Sequence, residues 1–203
     1  MIAKDDRTTH IAKIVTGLTN PSILSVLLLL LIAFTKSSKL SEAAMWIAVI
    51  FAFYIFIPVL YVYFRMQASG IRSKSVFEII TFLKKHPVDI LILSFVLGIP
   101  CLLVLIFLKA PTMLLAPVIA LLAGSIITAV FNIFYRVSYH LTAITILVVM
   151  TVHTWGPAYL FLILTLPLIA WAKFHIRDHT IPQLVTGMAV ALVISLITLR
   201  LLG

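Results

Sequence analysis

The sequence predicts an all-α fold, a polytopic bundle of about seven transmembrane helices with short interfacial helices beside it. Three observations lead there. Of 203 residues, 63% are hydrophobic and only 10% charged, which leaves too little charge to cover a soluble surface. Several apolar runs approach or exceed the roughly 20 residues needed to cross the hydrocarbon layer. Those runs are continuous, whereas the strands of a membrane barrel would alternate.

The elements follow in order. Residues 1–20 place Ile11, Ile14, Val15 and Leu18 at helical spacing beside Lys4, Arg7 and Lys13, the pattern of an amphipathic helix lying in the interface. This stretch has no apolar core of its own, so the first span is expected to stay as an anchor. Residues 21–203 read as one transmembrane domain, with spans at 21–36, 43–64, 88–108, 112–135, 138–154, 157–172 and 182–202. Spans five and six would be short, about 24–26 Å at 1.5 Å per residue. Pro58, Pro100, Pro117 and Pro167 lie inside spans and are expected to kink them. The longest loop runs from Arg65 to Pro87. Within it Val76, Ile79, Ile80 and Leu83 predict a second interfacial helix, ending at Lys84-Lys85-His86-Pro87.

Counting spans assigns sides. The N-terminus, the 65–87 loop, the stretch Arg136–His140 and the stretch Lys173–His179 all fall on one face. Of the 15 Lys and Arg residues, that face carries eleven and the other four (Lys36, Lys39, Lys109 and Arg200), which puts it in the cytoplasm. Five of the eleven (Lys84, Lys85, Arg136, Lys173 and Arg177) are ligand-binding candidates, and without them the ratio is six to four. The net charge of +9 suits anionic headgroups or phosphates. Nucleic acid is not expected, because no basic stripe with interleaved aromatics occurs. Cys101 is the only cysteine, so no intramolecular disulfide can form.

Cations and histidines at membrane helix ends usually mark an ion, proton or phosphate site. Ser138 is a good N-cap for span five, and this puts His140 in the first turn, where free N–H groups and the helix dipole favour an anion. His179 precedes span seven, with Lys173 and Arg177 nearby to neutralise phosphate oxygens. An imidazole flanked by cations is a reasonable phosphoryl nucleophile. The plainer reading is a basic juxtamembrane loop touching lipid headgroups. His175 and His179 are four apart, but no third ligand is evident, so no metal and no cofactor is expected.

These residues resemble the type-2 phosphatidic acid phosphatase superfamily over roughly residues 65–190. That superfamily has a basic Lys-x6-Arg-Pro element, a Ser-Gly-His element opening one helix, and an Arg-x5-His-x3-Asp element opening a later one. Lys84-Lys85-His86-Pro87 stands where the first should be, and Ser138-Tyr139-His140 is similar to the second. Lys173, His179 and Gln183 share the spacing of the third. The resemblance implies that His179 is the nucleophile and His140 the general acid. It also implies that Lys173, Arg177, Arg136, Ser138, Lys84 and Lys85 hold the phosphate of a membrane lipid or isoprenoid substrate.

The chain departs from the pattern at Tyr139 for glycine, Lys173 for arginine, Ile79 for lysine, His86 for arginine and Gln183 for aspartate. A carboxylate fixes the nucleophile's tautomer and stabilises its cationic form, whereas an amide only orients it. Gln183 has a second explanation, since Thr180-Ile181-Pro182-Gln183 is a capping box with proline in the first turn. Two other functions compete with the phosphatase: a lipid-phosphate-binding or scaffold protein of the same fold, and a transporter. No inverted repeat and no mid-span acidic residue favours transport. Ala120-x3-Gly124 and Gly187-x3-Ala191 are small-residue faces through which helices of two copies could pack as a homo-oligomer.

Overall fold

A computed structural model describes residues 6–68 and 94–202. The expected interfacial helix ending at Pro87, with Lys84 and Lys85, lies outside the described residues. Among those residues all regular structure is helical: α1 (Asp6–Leu18), α2 (Pro21–Lys36), α3 (Leu40–Phe51), α4 (Ile57–Ala68), α5 (Ile99–Phe107), α6 (Thr112–Phe134), α7 (Tyr139–Trp155), α8 (Thr165–His175) and α9 (Ile181–Leu202). Five stretches are long and apolar enough to cross a membrane: Arg7–Lys36, Leu40–Ala68, Thr112–Phe134, Pro157–His175 and Ile181–Leu202. Val96–Phe107 and Tyr139–Trp155 are apolar but shorter. The chain is a helical membrane protein, with five helices of spanning length among the described residues where the sequence predicted about seven spans.

The chain divides into two compact units, Leu29–Val118 and the combination of Met1–Leu28 with Ile119–Gly203. In the first, α3 continues into α4 through a π-helical turn, Ala52–Phe56, and a second π turn, Ser94–Gly98, leads into α5. Both turns stand just before a proline, Pro58 and Pro100. A proline offers no N–H and its ring crowds the carbonyl four residues back, Tyr54 and Val96 here, and widening the helix by one residue relieves that conflict. The kinks expected at these prolines therefore take a specific form. Trp46, Ile50, Met66, Cys101 and Leu105 are buried in this unit.

The second unit carries every described candidate site residue. Its centre is α7, which buries Leu141, Ile144, Ile146 and Met150. Helices α7 and α9 run parallel: the Ser138 N–H reaches the Gln183 carbonyl at 3.5 Å, and the Thr142 hydroxyl donates to the Gly187 carbonyl at 3.2 Å. A Cβ at Gly187 would lie 3.1 Å from both the Ser138 carbonyl oxygen and Thr142 Oγ1, so glycine permits this approach. At Gly124 of α6 a Cβ would come 2.5 Å from Ile146 Cδ1. Ala120 and Ala191 are also fully buried. Both small-residue faces are thus used for packing within the chain.

Pro157–Leu164, read from the sequence as the start of an α-helical span, is 3-10 helix, entered through Gly156 at φ 98°. Pro167 falls in the first turn of α8 and begins that helix; it does not kink it. Eight 3-10 residues and eleven α-helical ones extend about 33 Å, longer than the length expected for span six. Helix α1 packs against α8 with Ala12 fully buried, while Ile11, Ile14 and Leu18 of the amphipathic stripe face outward.

Candidate anion-binding site

The turn between α6 and α7 is shaped by one amide. Asn132 Oδ1 accepts the Val137 N–H at 2.9 Å, and Nδ2 donates to the carbonyls of Thr128 (2.8 Å) and Val137 (3.2 Å). This clamp leaves Arg136 exposed and turns Ser138 inward. Ser138 is the N-cap of α7; its hydroxyl oxygen accepts the Leu141 N–H at 3.3 Å. Because Ser138 is fully buried, it serves the helix end and does not face the surface. His140 follows in the first turn, half-buried, with Nε2 3.1 Å from Thr19 Oγ1. The Thr19 hydroxyl proton is already given to the Val15 carbonyl at 2.7 Å, so its oxygen accepts and His140 Nε2 carries the proton.

The end of α8 is a Schellman motif. The Arg177 N–H reaches the Phe174 carbonyl at 3.0 Å, and the Asp178 N–H reaches the Lys173 carbonyl at 3.1 Å. The residue between cap and exit is normally glycine, since it needs left-handed backbone. Here it is Arg177, at φ 57°. The motif folds Asp178 back over the last turn, where its Oδ2 lies 2.7 Å from Lys173 Nζ. Lys173 is 8% exposed, and a cation so buried requires a counter-ion. His175 stacks on Trp171 with ring centroids 5.5 Å apart.

Helix α9 opens with both roles of Gln183 satisfied at once. Its Oε1 accepts the Thr180 N–H at 3.1 Å, as a capping box requires, and lies 3.3 Å from His179 Nδ1. The Thr180 contact identifies that atom as the amide oxygen, an acceptor, so Nδ1 donates to it. His179 Nε2 is left as the nitrogen with the lone pair. The cap and the ring-orienting contact, which looked like rival explanations of Gln183, are one oxygen with two donors.

Burial, above all, holds the His179 imidazole below its ordinary value of 6.5. The Gln183 contact and the Asp178 carboxylate oppose that shift, whereas the charges of Lys173 and Arg136 reinforce it. Arg136, Lys173, Asp178 and Gln183 thus all act on one ring, although they come from three separate stretches of chain. The parallel packing of α7 and α9 puts two helix N-termini at the same end, so two sets of free N–H groups and two positive dipole ends adjoin this cluster. Together they form an electropositive, half-buried corner with a neutral imidazole in it.

Of the residues expected here, Arg136, Lys173, His179, Thr180 and Gln183 are brought together, and Ser138 caps the adjoining helix. His140, in the first turn of α7, is tied to the N-terminal segment. Arg177 is exposed at the rim. His175 ends α8 while His179 lies beyond it, so the two do not share a helix face. No cluster of three His, Cys, Asp or Glu residues suited to a metal occurs among the described residues. Sequence reasoning missed Asp178, Thr19 and Asn132. A Schellman ending with arginine in place of glycine carries no sequence signal that would have singled out Asp178. A search of protein-family models, curated proteins and solved structures finds no match to this chain.

Proposed function

We propose that this membrane protein is a lipid phosphatase that acts on an isoprenoid or glycerolipid phosphate or pyrophosphate through a phosphohistidine on His179. The observation that carries the reading is the Gln183-held imidazole of His179, neutral and with Nε2 as its lone-pair nitrogen, inside a cluster of cations at two helix N-termini. In the proposed reaction the Nε2 lone pair forms a bond to phosphorus as the bond to the lipid oxygen breaks. That oxygen takes a proton from His140. Water then attacks phosphorus, the N–P bond breaks with its electron pair returning to Nε2, and the water proton passes to His140. Lys173, Arg136 and Arg177 neutralise the phosphoryl oxygens. Histidine and cations supply the nucleophile and the charge, so the scheme calls for no metal.

The same proposal has Val96–Phe107 and Tyr139–Trp155 crossing the membrane with the five longer helices, seven spans in all. It puts the N-terminus and the site on one side, the cytoplasmic one. A second reading, a binding or scaffold protein without turnover, is favoured by one observation: Lys173 is already paired with Asp178, and Gln183 brings no charge to the ring. The test is phosphate release from a panel of lipid phosphates by the purified protein in chelator. Release that persists in chelator and is abolished by His179→Ala supports the phosphatase. Binding of lipid phosphates without release from any of them rejects it in favour of the second reading.

A further inference from the structure

We propose that Asp178 is a specificity-determining residue of the anion site: an internal anion that occupies Lys173, gives way to a phosphate monoester dianion and holds out against monoanionic diesters. The two halves of the pair are unequal. Lys173 Nζ and Asp178 Oδ2 are 2.7 Å apart, but the lysine side chain is 10% exposed and the aspartate side chain 52%. The carboxylate can turn into water and stay solvated. The ammonium cannot, so it needs some anion facing it at all times. Such a pair is exchangeable from one side only. The backbone makes Asp178 a strong competitor for that place. Its N–H bonds to the Lys173 carbonyl at 3.1 Å, and the left-handed Arg177 before it returns the carboxylate to the ammonium. An anion held by so short a tether acts at high effective concentration. A lipid diester carries one negative charge, so in displacing Asp178 it trades one single charge for another against that tether. A monoester or pyrophosphate carries close to two charges or more. It is drawn to Lys173 more strongly, with charge to spare for Arg136 and Arg177, the exposed cations of this corner. Diesters crowd every bilayer surface, and the internal carboxylate keeps them off the buried lysine.

The proposal rests on a phosphate site at Lys173, which both readings above share. It is tested on the full chain in phosphatidylcholine nanodiscs with isotope-labelled lysine and aspartate. Solid-state NMR reads the coupling of Lys173 Nζ to the Asp178 carboxyl carbon and to phosphorus. Lys173→Met/Asp178→Asn, which removes both charges together, identifies these signals by their loss. Added inorganic phosphate should replace the carboxyl coupling by a phosphorus coupling. Phosphatidic acid in the discs, with His179→Gln to prevent turnover, should do the same where a lipid headgroup is the source. Exchange with either ligand supports the assignment and names the source. Dimethyl phosphate and phosphatidylglycerol should leave the carboxyl coupling in place. Its persistence with both inorganic phosphate and phosphatidic acid would overturn the proposal, as would its loss to the diesters at equal concentration. Asp178→Asn should bind inorganic phosphate about tenfold more tightly than the unaltered protein and admit dimethyl phosphate; unchanged affinity for both is the contrary result. That variant leaves Lys173 without its counter-ion, and if it does not fold, the couplings in the unaltered chain decide. Phosphate release is scored separately: exchange without release rejects the phosphatase alone, and release without exchange rejects this assignment alone.

Discussion

Gly187→Ala tests the parallel packing of α7 and α9, on which the site depends. The added Cβ would lie 3.1 Å from the Ser138 carbonyl oxygen and from Thr142 Oγ1, and 3.5 Å from Val137 Cγ1. A backbone carbonyl at a helix N-cap cannot swing aside, so the two helices must separate by a few tenths of an ångström. Overpacking of this kind costs about 1–3 kcal/mol. Stretching the Thr142 hydroxyl bond to Gly187 adds about 0.5–1.5 kcal/mol. The gain in helix propensity offsets about 1 kcal/mol. The net expectation is a loss of about 0.5–3.5 kcal/mol. The assay is thermal unfolding in detergent, read by a thiol-reactive dye at Cys101, the only cysteine and a buried one. Two controls rank below it. At Gly124 the obstacle is the end of a flexible Ile146 side chain, so alanine should cost less. At Gly17 nothing lies within 4 Å, and alanine should be neutral or stabilising. If Gly187→Ala melts at or above the unaltered protein, the close parallel approach is not what the packing requires.

Three further outcomes are expected. The folded-state value of His179 lies below 6.5, so the unfolded chain takes up the proton more readily. Its contribution to stability is full above 6.5 and is lost as pH falls through the lower folded value; His179→Gln should flatten the melting temperature over that window. Arg177→Gly should stabilise the chain by about 1 kcal/mol by relieving the left-handed backbone, and weaken binding of inorganic phosphate; changes of the same sign in the two measurements would contradict the assignment. Gln183→Ala should cost about 0.5–2 kcal/mol from the lost cap and, if the proposed phosphatase reaction occurs, slow phosphate release, whereas Gln183→Glu should keep the cap and its melting temperature; a fall in melting equal to that of alanine would remove Gln183 from its double role.

Much of the site could be read from the chain because its helix starts are written in local chemistry. Ser138, two residues before His140, and Gln183, three after Thr180, satisfy end N–H groups by short-range bonds that any sequence window contains. The wider arrangement could not be read this way. Hydropathy treats the 3-10 stretch Pro157–Leu164 and an α-helix alike, since it reads side-chain composition and not hydrogen-bond spacing. The π turns before Pro58 and Pro100 change hydrogen-bond spacing without changing composition. The Lys173–Asp178 pair depends on Arg177 adopting a backbone conformation that its residue type disfavours, which sequence patterns argue against. Thr19 on His140 is a contact between distant stretches, and one sequence alone offers no means of pairing them.

That last contact has a consequence for the order in which the protein is made. Thr19 and His140 are 121 residues apart, and the whole of Leu29–Val118 is synthesised between them. At about 5–20 residues per second, α1 waits roughly 6–24 s for its partner on α7, and longer for α8. During that interval Ala12 and Thr19 await helices not yet made. The corner around His179 is therefore among the last parts of the chain to close. A ribosome stalled before α8 would leave an inserted but siteless intermediate, with its first helix available to whatever factor attends the insertion of the rest.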